Sequence, residues 1–501
     1  MKNFTFRKFV NDIHLWLGIG SGIILFIICL TGTIYVFSKD IIEWVDKDKV
    51  TVKVPENAQP ISVTELVALL EKEKKDSKVT GIQIPEGSER AWLFTLTPKD
   101  ILEKRGKEER EAKERGNKGE KGEKRGRDGE RGEKHEKRER GEGNARGERK
   151  ERNEAGGRVE RGDKAEAGTA LAARDSKDKV SKPNEKGGAR GGDRERIKTY
   201  FVNPYTGEVL GDTRTASSKF FTTVMGLHRW LLLDRDIGRP ITGIATLIFL
   251  LMEITGLILW LPAKLKSWKK WSAWKAGFTI KTDARWKRIN HDLHNALGFY
   301  TFLLVTLMAL TGLCFSFEWF RDGAGVVLGA KPFDERKAPK VQSEYAGTNP
   351  LTLDALIARA NEEFPYKGDL RIILPKDSIA AVAASKTHNG FIASAGTDRV
   401  FLDQYSGNIL KKEPFSEKKL GAQIAALIYP LHVGDVFGTF SKIIYFIVCL
   451  IATSLPVTGT IIWINKLRKK AEKKKEGKGK KKSSKKTKVS KQEPAVAKTE
   501  V

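Results

Sequence analysis

The chain has 501 residues and a formal net charge of +28, with 91 lysine and arginine residues against 63 acidic ones. Its mean hydropathy of -0.39 averages long apolar stretches with very polar ones, so composition alone does not define the class of protein. Cys29, Cys314 and Cys449 all lie in apolar stretches. This excludes a disulfide framework, a Cys-x-x-Cys haem attachment and a cysteine-ligated iron–sulfur cluster.

Four apolar stretches are long enough to cross a membrane. They cover residues 13–37, 241–261, 297–320 and 440–464. Each has about twenty residues or more, and a helix of that length spans a hydrocarbon core of about 30 Å. The first stretch is too long for a cleaved signal peptide and lacks a small-residue cleavage site. We therefore expect an uncleaved signal anchor.

Basic residues predict the topology. Lysines and arginines precede the first stretch, fill the loop between the second and third, and follow the fourth. The positive-inside rule places these three regions in the cytoplasm. Both termini are then cytoplasmic, and residues 38–240 and 321–439 face outward.

The chain contains an internal repeat. His14 and Leu30-Thr31-Gly32 recur as His294 and Leu310-Thr311-Gly312, at a constant offset of 280 residues. Residues 255–260 resemble residues 458–463, and the neighbouring His228 and His432 keep nearly the same offset. Each unit is therefore expected to consist of an apolar helix, an outward domain and a second apolar helix. The two units should be related by an axis along the membrane normal.

The outward segments have α+β patterns. In the second, a helix is predicted at 352–364 and β-like runs at 370–374, 379–384, 391–395 and 399–402. In the first, the helix is 63–74 and the strands are 81–84, 91–97 and 199–202. Residues 101–198 interrupt the first domain and are predicted to be a disordered surface insert, with partner binding as the alternative. The lysine-rich tail, 466–501, is also predicted to be disordered and to attract anionic lipid, with no nucleic-acid partner.

Four histidines lie at the edges of the apolar stretches. His14 and His294 belong to the cytoplasmic ends of the first and third, and His228 and His432 to the outward ends of the second and fourth. Each repeat-related pair lies at one membrane level, on opposite sides of the pseudo-twofold axis. This predicts two bis-histidine b-type haems, with all four histidines as ligands of haem iron. Bis-ligation leaves no open position on the iron and so favours electron transfer.

Alternatives exist at several positions. His291 lies one turn before His294 and could replace it as the ligand, although its repeat counterpart is Asn11. The same two histidines have the spacing of a zinc or copper site. Glu253, deep in the second stretch, could assist proton movement or could be a structural hydrogen-bonding residue.

Glycines near His14 and His294 provide space for a cofactor or for another helix. Gly18 and Gly22 share the helical face of His14, and Gly298 stands in the same relation to His294.

The order of these motifs resembles that of bacterial PepSY-associated transmembrane helix proteins, the iron-regulated membrane protein group. The resemblance covers nearly the whole chain except the insert and the tail. The motifs that carry it are Ile13-His14-Leu15-Trp16-Leu17-Gly18, Leu30-Thr31-Gly32, Leu227-His228-Arg229-Trp230, Asp292-Leu293-His294 with Gly298, Tyr205-Thr206-Gly207 and Tyr405-Ser406-Gly407.

This resemblance implies a multi-pass protein of the bacterial inner membrane and an oxidoreductase similar to ferric-siderophore reductases. Two haems would be held between four helices, and a periplasmic ferric siderophore or similar chelate would be the acceptor. The chain has no nucleotide-binding glycine fingerprint, so a separate cytosolic reductase or membrane quinol is expected as the electron donor. The alternative is a non-enzymatic membrane module that regulates a protease or senses the cell envelope.

The predicted fold class is thus a membrane α-helical four-helix bundle with two extracytoplasmic α+β PepSY-like domains and an internal duplication. The predicted segments are a cytoplasmic N-terminus (1–12), a first span (13–37), a first outward domain (38–226), a second span with its lead-in (227–262), a basic loop (263–290), a third span (291–320), a second outward domain (321–428), a fourth span with its lead-in (429–465) and the tail (466–501).

Overall fold

The computed structural model describes residues 5–108, 111, 196–333, 341–344 and 347–489, with the backbone alone for 475–489. The predicted insert lies mostly outside the described residues. The chain divides into two compact units. The smaller consists of Asp76–Lys78 and Thr97–Ile197, and in it Arg196 pairs with Asp100 at 2.6 Å. The larger consists of Met1–Lys75, Val79–Leu96 and Lys198–Val501 and carries the features that follow.

Four helices of the larger unit are long and apolar enough to cross a membrane. These spanning helices 1 to 4 are Phe6–Tyr35, Arg235–Trp260, Trp286–Ser316 and Gly438–Lys474. All four helices begin before the predicted stretches, because hydropathy marks only the apolar part, whereas helical hydrogen bonding continues into the polar flanks.

The tail differs from the prediction. The helix that contains spanning helix 4 extends to Val489, so residues 466–489 are helical and not disordered. Lysine and glutamate have good helix propensity, and a segment that continues an existing helix avoids the cost of nucleation. Residues 490–501 lie outside the described part of the chain.

The spanning helices form a closed ring in which each packs against two neighbours, in the order 1, 2, 3, 4 and back to 1. Val305, Val448 and Ala452 are buried in the middle of the bundle, and Cys29 and Phe249 pack against them from helices 1 and 2. Helices 1 and 3 therefore face each other across the bundle, as do helices 2 and 4.

Shorter helices connect the bundle to the rest of the unit. Helices Ala216–Trp230 and Ile428–Val433 precede spanning helices 2 and 4, and we call them the lead-in helices. Each ends at a residue in the left-handed region, Leu231 (φ 55°) or Gly434 (φ 82°), where the chain turns into the spanning helix. The other short helices are Ser38–Val45, Lys47–Val50, Leu265–Ser267 (3₁₀), Trp271–Phe278, Glu318–Leu328 and Leu420–Ala426.

Eight strands form one antiparallel sheet in the order β4-β3-β2-β1-β5-β6-β7-β8. They are β1 (Ser77–Ile84), β2 (Trp92–Pro98), β3 (Lys198–Val202), β4 (Val209–Asp212), β5 (Gly368–Ile373), β6 (Val382–His388), β7 (Thr397–Leu402) and β8 (Ile409–Glu413). Sequence patterns missed β4 and β8, which are short and half-exposed. The run at 391–395 was wrongly predicted as a strand, since it contains a turn and a single bridge from Ser394 to Phe437.

The sequence had suggested that the two outward segments are separate domains. In the structure they share one sheet. Strand β1 pairs with β5, from Gly81 opposite Ile373 to Ile84 opposite Leu370. Each half would otherwise expose an edge strand with unpaired backbone groups, and the pairing satisfies both edges. The hydrophobic cores on the two sides of this seam also share residues, namely Ile84, Leu353, Ile357 and Leu374.

One carboxylate joins the two helices that cover the sheet, Val63–Glu73 and Leu353–Glu363. Asp354 accepts hydrogen bonds from the Val63 amide (2.7 Å), the Thr64 amide (3.1 Å) and the Thr64 hydroxyl (2.6 Å). A carboxylate at a helix N-terminus accepts hydrogen bonds from the free amides and interacts favourably with the helix dipole. Burial alone would raise the pKa of Asp354, but these hydrogen bonds hold it below its usual value.

We expect Asp354→Ala to destabilise the sheet by about 1 kcal/mol, because it leaves the N-terminus of the other half's helix without its acceptor. Thermal unfolding of the full-length protein in detergent, followed by circular dichroism, measures the loss. Glu362→Ala is the control, since Glu362 is exposed and pairs only with Arg359. An equal loss in both variants would contradict the assigned role.

The same contact predicts a pH dependence. The folded-state pKa of Asp354 is lower than the unfolded value of about 3.9, so its stabilising contribution is complete above that pH. The contribution disappears as the pH falls through the folded-state pKa. We therefore expect the difference between the wild type and Asp354→Ala to shrink when unfolding is measured below about pH 4.

Candidate functional site

The structure brings His14 and His294 together across the bundle. They belong to spanning helices 1 and 3, and their ring centroids are 6.4 Å apart with an angle of 80° between the ring planes. Both lie two to three turns inside their helices, at the end of the bundle far from the sheet. We call them the inner pair.

Threonines of the other two spanning helices bind the inner pair. Nδ1 of His14 lies 2.9 Å from Thr255 Oγ1, and Nδ1 of His294 lies 2.9 Å from Thr458 Oγ1. Each threonine hydroxyl also donates to a carbonyl of its own helix, as Thr255 does to Leu251 O at 2.9 Å. Because the single hydroxyl proton is used there, the oxygen accepts from the imidazole. Nδ1 therefore carries the proton, and Nε2 keeps a lone pair for a ligand.

His228 and His432 form a second pair at the sheet end of the bundle, the outer pair. Their ring centroids are 6.1 Å apart, with 63° between the ring planes. Both come from the lead-in helices and not from the spanning helices themselves. Sequence patterns indicated their position before spans two and four, but not the turn that folds each lead-in helix back against the bundle.

The outer pair has the same kind of partner as the inner pair. Nδ1 of His228 lies 3.0 Å from Ile28 O and 3.1 Å from Thr31 Oγ1, both on spanning helix 1. His432 makes the equivalent contacts on helix 3. These are Met308 O at 3.0 Å and Thr311 Oγ1 at 3.2 Å. A backbone carbonyl only accepts, so Nδ1 is again the protonated nitrogen and Nε2 again keeps its lone pair.

A glycine follows each of these threonines and lies against the imidazole. A Cβ added to the glycine would meet Cε1 of the histidine at or below ordinary van der Waals distance, so a larger residue would crowd the ring. The distances are 3.3 Å for Gly256 and His14, 3.2 Å for Gly459 and His294, 3.5 Å for Gly32 and His228, and 3.1 Å for Gly312 and His432. We call each threonine with its glycine a Thr-Gly pair.

The sequence contains a signal for these partners. Four Thr-Gly pairs occur at repeat-related positions, and each binds one histidine in the structure. The glycines chosen from the sequence behave differently. A Cβ added to Gly18 would meet Met252 Cε at 3.1 Å, whereas a Cβ on Gly22 or Gly298 would meet nothing within 4 Å.

The remaining histidines lie elsewhere. The side chain of His291 is 60% exposed and lies 3.6 Å from Asp292 Oδ1, and it is absent from the inner pair. His388 stacks on Tyr366 at a centroid distance of 3.8 Å. His135 is outside the described residues. Within the described ranges, no group of three or more His, Cys, Asp or Glu side chains could hold a metal ion by itself.

The ring spacing of each imidazole pair fits two histidines that would hold one iron between them. Metal–nitrogen bonds of about 2 Å, and about 1 Å from each nitrogen to its ring centre, put the ring centres about 6 Å apart. The observed distances are 6.4 and 6.1 Å. The protonated Nδ1 atoms, the free Nε2 atoms and the glycines beside the rings all suit haem ligation.

Polar contacts at the sheet end position the lead-in helix that carries His228. Asp46 accepts hydrogen bonds from Thr215 (2.6 Å) and Ser217 at the start of this helix. Burial would raise the pKa of Asp46, but the hydroxyl groups of Ser217 and Thr215 hold it below its usual value. The ionised carboxylate therefore fixes the helix N-terminus.

Thr458→Val should loosen His294, because it removes the oxygen that accepts from Nδ1 and keeps the side-chain shape. Loss of such a partner typically weakens metal binding about 10–100-fold. Haem content and the rate of haem transfer to an acceptor apoprotein measure the effect in the full-length protein. The matched control is Thr460→Val, since Thr460 is exposed on the same helix and donates only to Pro456 O. Equal behaviour of the two variants would refute the role of Thr458.

Comparison with known proteins places this chain in a family. A family model described as the PepSY-associated TM region matches residues 12–466, which include all four histidines and all four Thr-Gly pairs. A comparison with curated proteins gave no match. The four apolar helices and this match identify a multi-pass membrane protein. The chain belongs to the family of proteins that share the PepSY-associated transmembrane region.

Proposed function

We propose that this protein is a dihaem electron-transfer protein that carries electrons across the membrane to a ferric chelate. The observation that carries the proposal is the presence of two facing imidazole pairs, each with its Nδ1 atoms bound and its Nε2 atoms free. His14 and His294 would hold the inner haem, and His228 and His432 the outer one. Each haem, when bound, supplies a one-electron carrier without an open coordination position.

The protein's own residues then orient the ligands and exclude water. Threonine oxygens and backbone carbonyls fix the ring planes and the proton on Nδ1, which raises the basicity of the ligating nitrogen. The apolar helices surround both pairs. Thr31 lies 17 residues beyond His14 on helix 1, so the two levels are about 25 Å apart along the helix axis. This separation suits one site near each membrane face.

We assign the inner pair to the cytoplasmic side and the sheet to the periplasmic side of a bacterial inner membrane. The lysine- and arginine-rich segments next to the spanning helices lie at the end that carries the inner pair. In this orientation both termini are cytoplasmic. The donor is a separate cytosolic reductase or quinol.

Aromatic residues connect the outer pair to the surface at the sheet end. Phe315 lies 5.4 Å from the ring of His432 and 6.4 Å from that of Tyr429, which is 45% exposed. An acceptor that docks beside Tyr429 comes close to the outer site without entering the bundle. A ferric siderophore suits this site as the electron acceptor, because one-electron reduction weakens the binding of iron by the siderophore. This reduction needs no covalent catalysis.

Replacement of single histidines should remove one haem at a time. We expect His228→Ala to lose the outer haem and His14→Ala the inner one, because each leaves a single imidazole. Absorption spectra of the purified protein with haem counting would show one reducible b-type haem in each variant and two in the wild type. His291→Ala is the control and should keep both. Two haems in both ligand variants would refute the assignment.

The acceptor can be tested with the reduced protein. We expect a ferric siderophore to oxidise the pre-reduced wild-type protein, as followed by the loss of the reduced haem bands. The gallium(III) form of the same chelator has a similar shape and charge but is not reducible under these conditions, so it should have no effect. Oxidation that is no faster in wild type than in His228→Ala would contradict an electron exit at the outer site.

A further inference from the structure

Spanning helix 2 carries a carboxylate on the face that points into the bundle. Glu253 follows Phe249 by four residues and precedes Gly256 by three, so all three lie on one side of the helix. Phe249 packs into the middle of the bundle, and Gly256 lies against the ring of His14. Leu251, 53% exposed, lies on the opposite side. Glu253 therefore faces the interior, one helical turn from the inner pair.

This carboxyl has no hydrogen-bond or ion-pair partner among the described residues. Several other polar side chains of the bundle are satisfied locally, although three buried polar atoms of the spanning helices also lack a partner among the described residues. Ser21 donates to Leu17 O at 2.7 Å, and Thr301 donates to Leu297 O at 2.9 Å. The structural hydrogen-bonding role that the sequence allowed for Glu253 therefore lacks a partner. A carboxylate at membrane depth without a counter-charge is costly, so ionisation of Glu253 requires a positive charge nearby.

Titratable and charged groups around Glu253 come from three helices. From helix 1, Cys29 lies within electrostatic range, His14 lies against the next turn, and Arg7 binds Leu261 O at 2.9 Å near the end of helix 2. Helix 3 contributes His294 and the Arg288–Asp292 ion pair at the same end of the bundle. Cys449 of helix 4 lies within electrostatic range of Cys29. Among the described residues, Arg7 and Arg288 are engaged with other groups. Oxidised iron held by His14 and His294 would therefore supply the positive charge.

We propose that Glu253 exchanges one proton with the solvent for each electron that enters or leaves the inner site. The proposal rests on the haem assignment above. Ferric iron between two neutral imidazoles carries one more positive charge than ferrous iron, and this charge stabilises an ionised Glu253. When the donor delivers one electron to iron(III) held at the inner site, the Glu253 carboxylate would bind one proton from water and become the neutral acid. Oxidation by the next acceptor reverses both changes.

The test is a spectroscopic redox titration of the full-length, haem-loaded protein at several pH values, with dithionite as reductant and ferricyanide as oxidant. A coupled proton shifts the midpoint potential of the inner haem by up to about 59 mV for each tenfold change in proton concentration. We expect this dependence in the wild type and its loss in Glu253→Gln. Glu253→Asp keeps a titratable group. In this variant the midpoint potential should still depend on pH, but over a different pH range.

Asp236→Asn is the matched control, because it removes an exposed carboxylate from the first turn of the same helix. It should behave like the wild type. A second readout is the infrared difference spectrum between oxidised and reduced protein, in which a carboxylic acid band should appear on reduction and be absent in Glu253→Gln. If the haems are present but the potential has the same pH dependence in wild type and Glu253→Gln, the proton role of Glu253 is wrong. If the protein binds no haem, the proposed function itself fails.

Discussion

The hydrogen bond from a histidine Nδ1 to a threonine hydroxyl is the interaction on which the rest of this bundle depends. An imidazole N–H inside a bilayer needs an acceptor. A threonine that donates its own proton to the preceding helical turn offers an acceptor and no competing donor. Nδ1 is thereby occupied, and Nε2 remains for a ligand. The glycine that follows each threonine lets the ring approach the helix closely enough to make this bond.

These hydrogen bonds also show which helices of the bundle depend on each other. At the inner end, helices 1 and 3 supply the histidines and helices 2 and 4 the Thr-Gly pairs. At the outer end, the lead-in helices supply the histidines and helices 1 and 3 the Thr-Gly pairs. Each outer histidine thus reaches its partner only if its lead-in helix folds back. The shared sheet and the contacts of Asp46 hold the segments that precede these turns.

Glu253 stands out against this pattern. The Nδ1 atoms of the four histidines and the hydroxyl groups of their threonines are satisfied by a neighbouring helix or by the preceding turn, so they cost the bundle little. Glu253 faces the interior and has no such partner within the part of the chain that the structure describes. The free energy of an ionised carboxylate depends on the charge of its surroundings. Protonation of such a group can therefore be coupled to a change of that charge. Under the proposal above, Glu253 adds to the fixed ligand geometry an ionisable group that responds to the charge at the inner site.

The sequence by itself determined the four apolar helices, the repeat and the four candidate histidines, because apolar length and fixed offsets are local or one-dimensional properties. It also contained the four Thr-Gly pairs but not their partners. Only the tertiary structure decided that His294 faces the interior while His291 is exposed, and that the outer histidines come from separate lead-in helices. The pairing of β1 with β5 into one sheet was likewise not local. Such contacts join residues hundreds of positions apart. Local sequence patterns do not show which distant residue accepts a hydrogen bond from a given donor, pairs with a strand edge or packs against a ring.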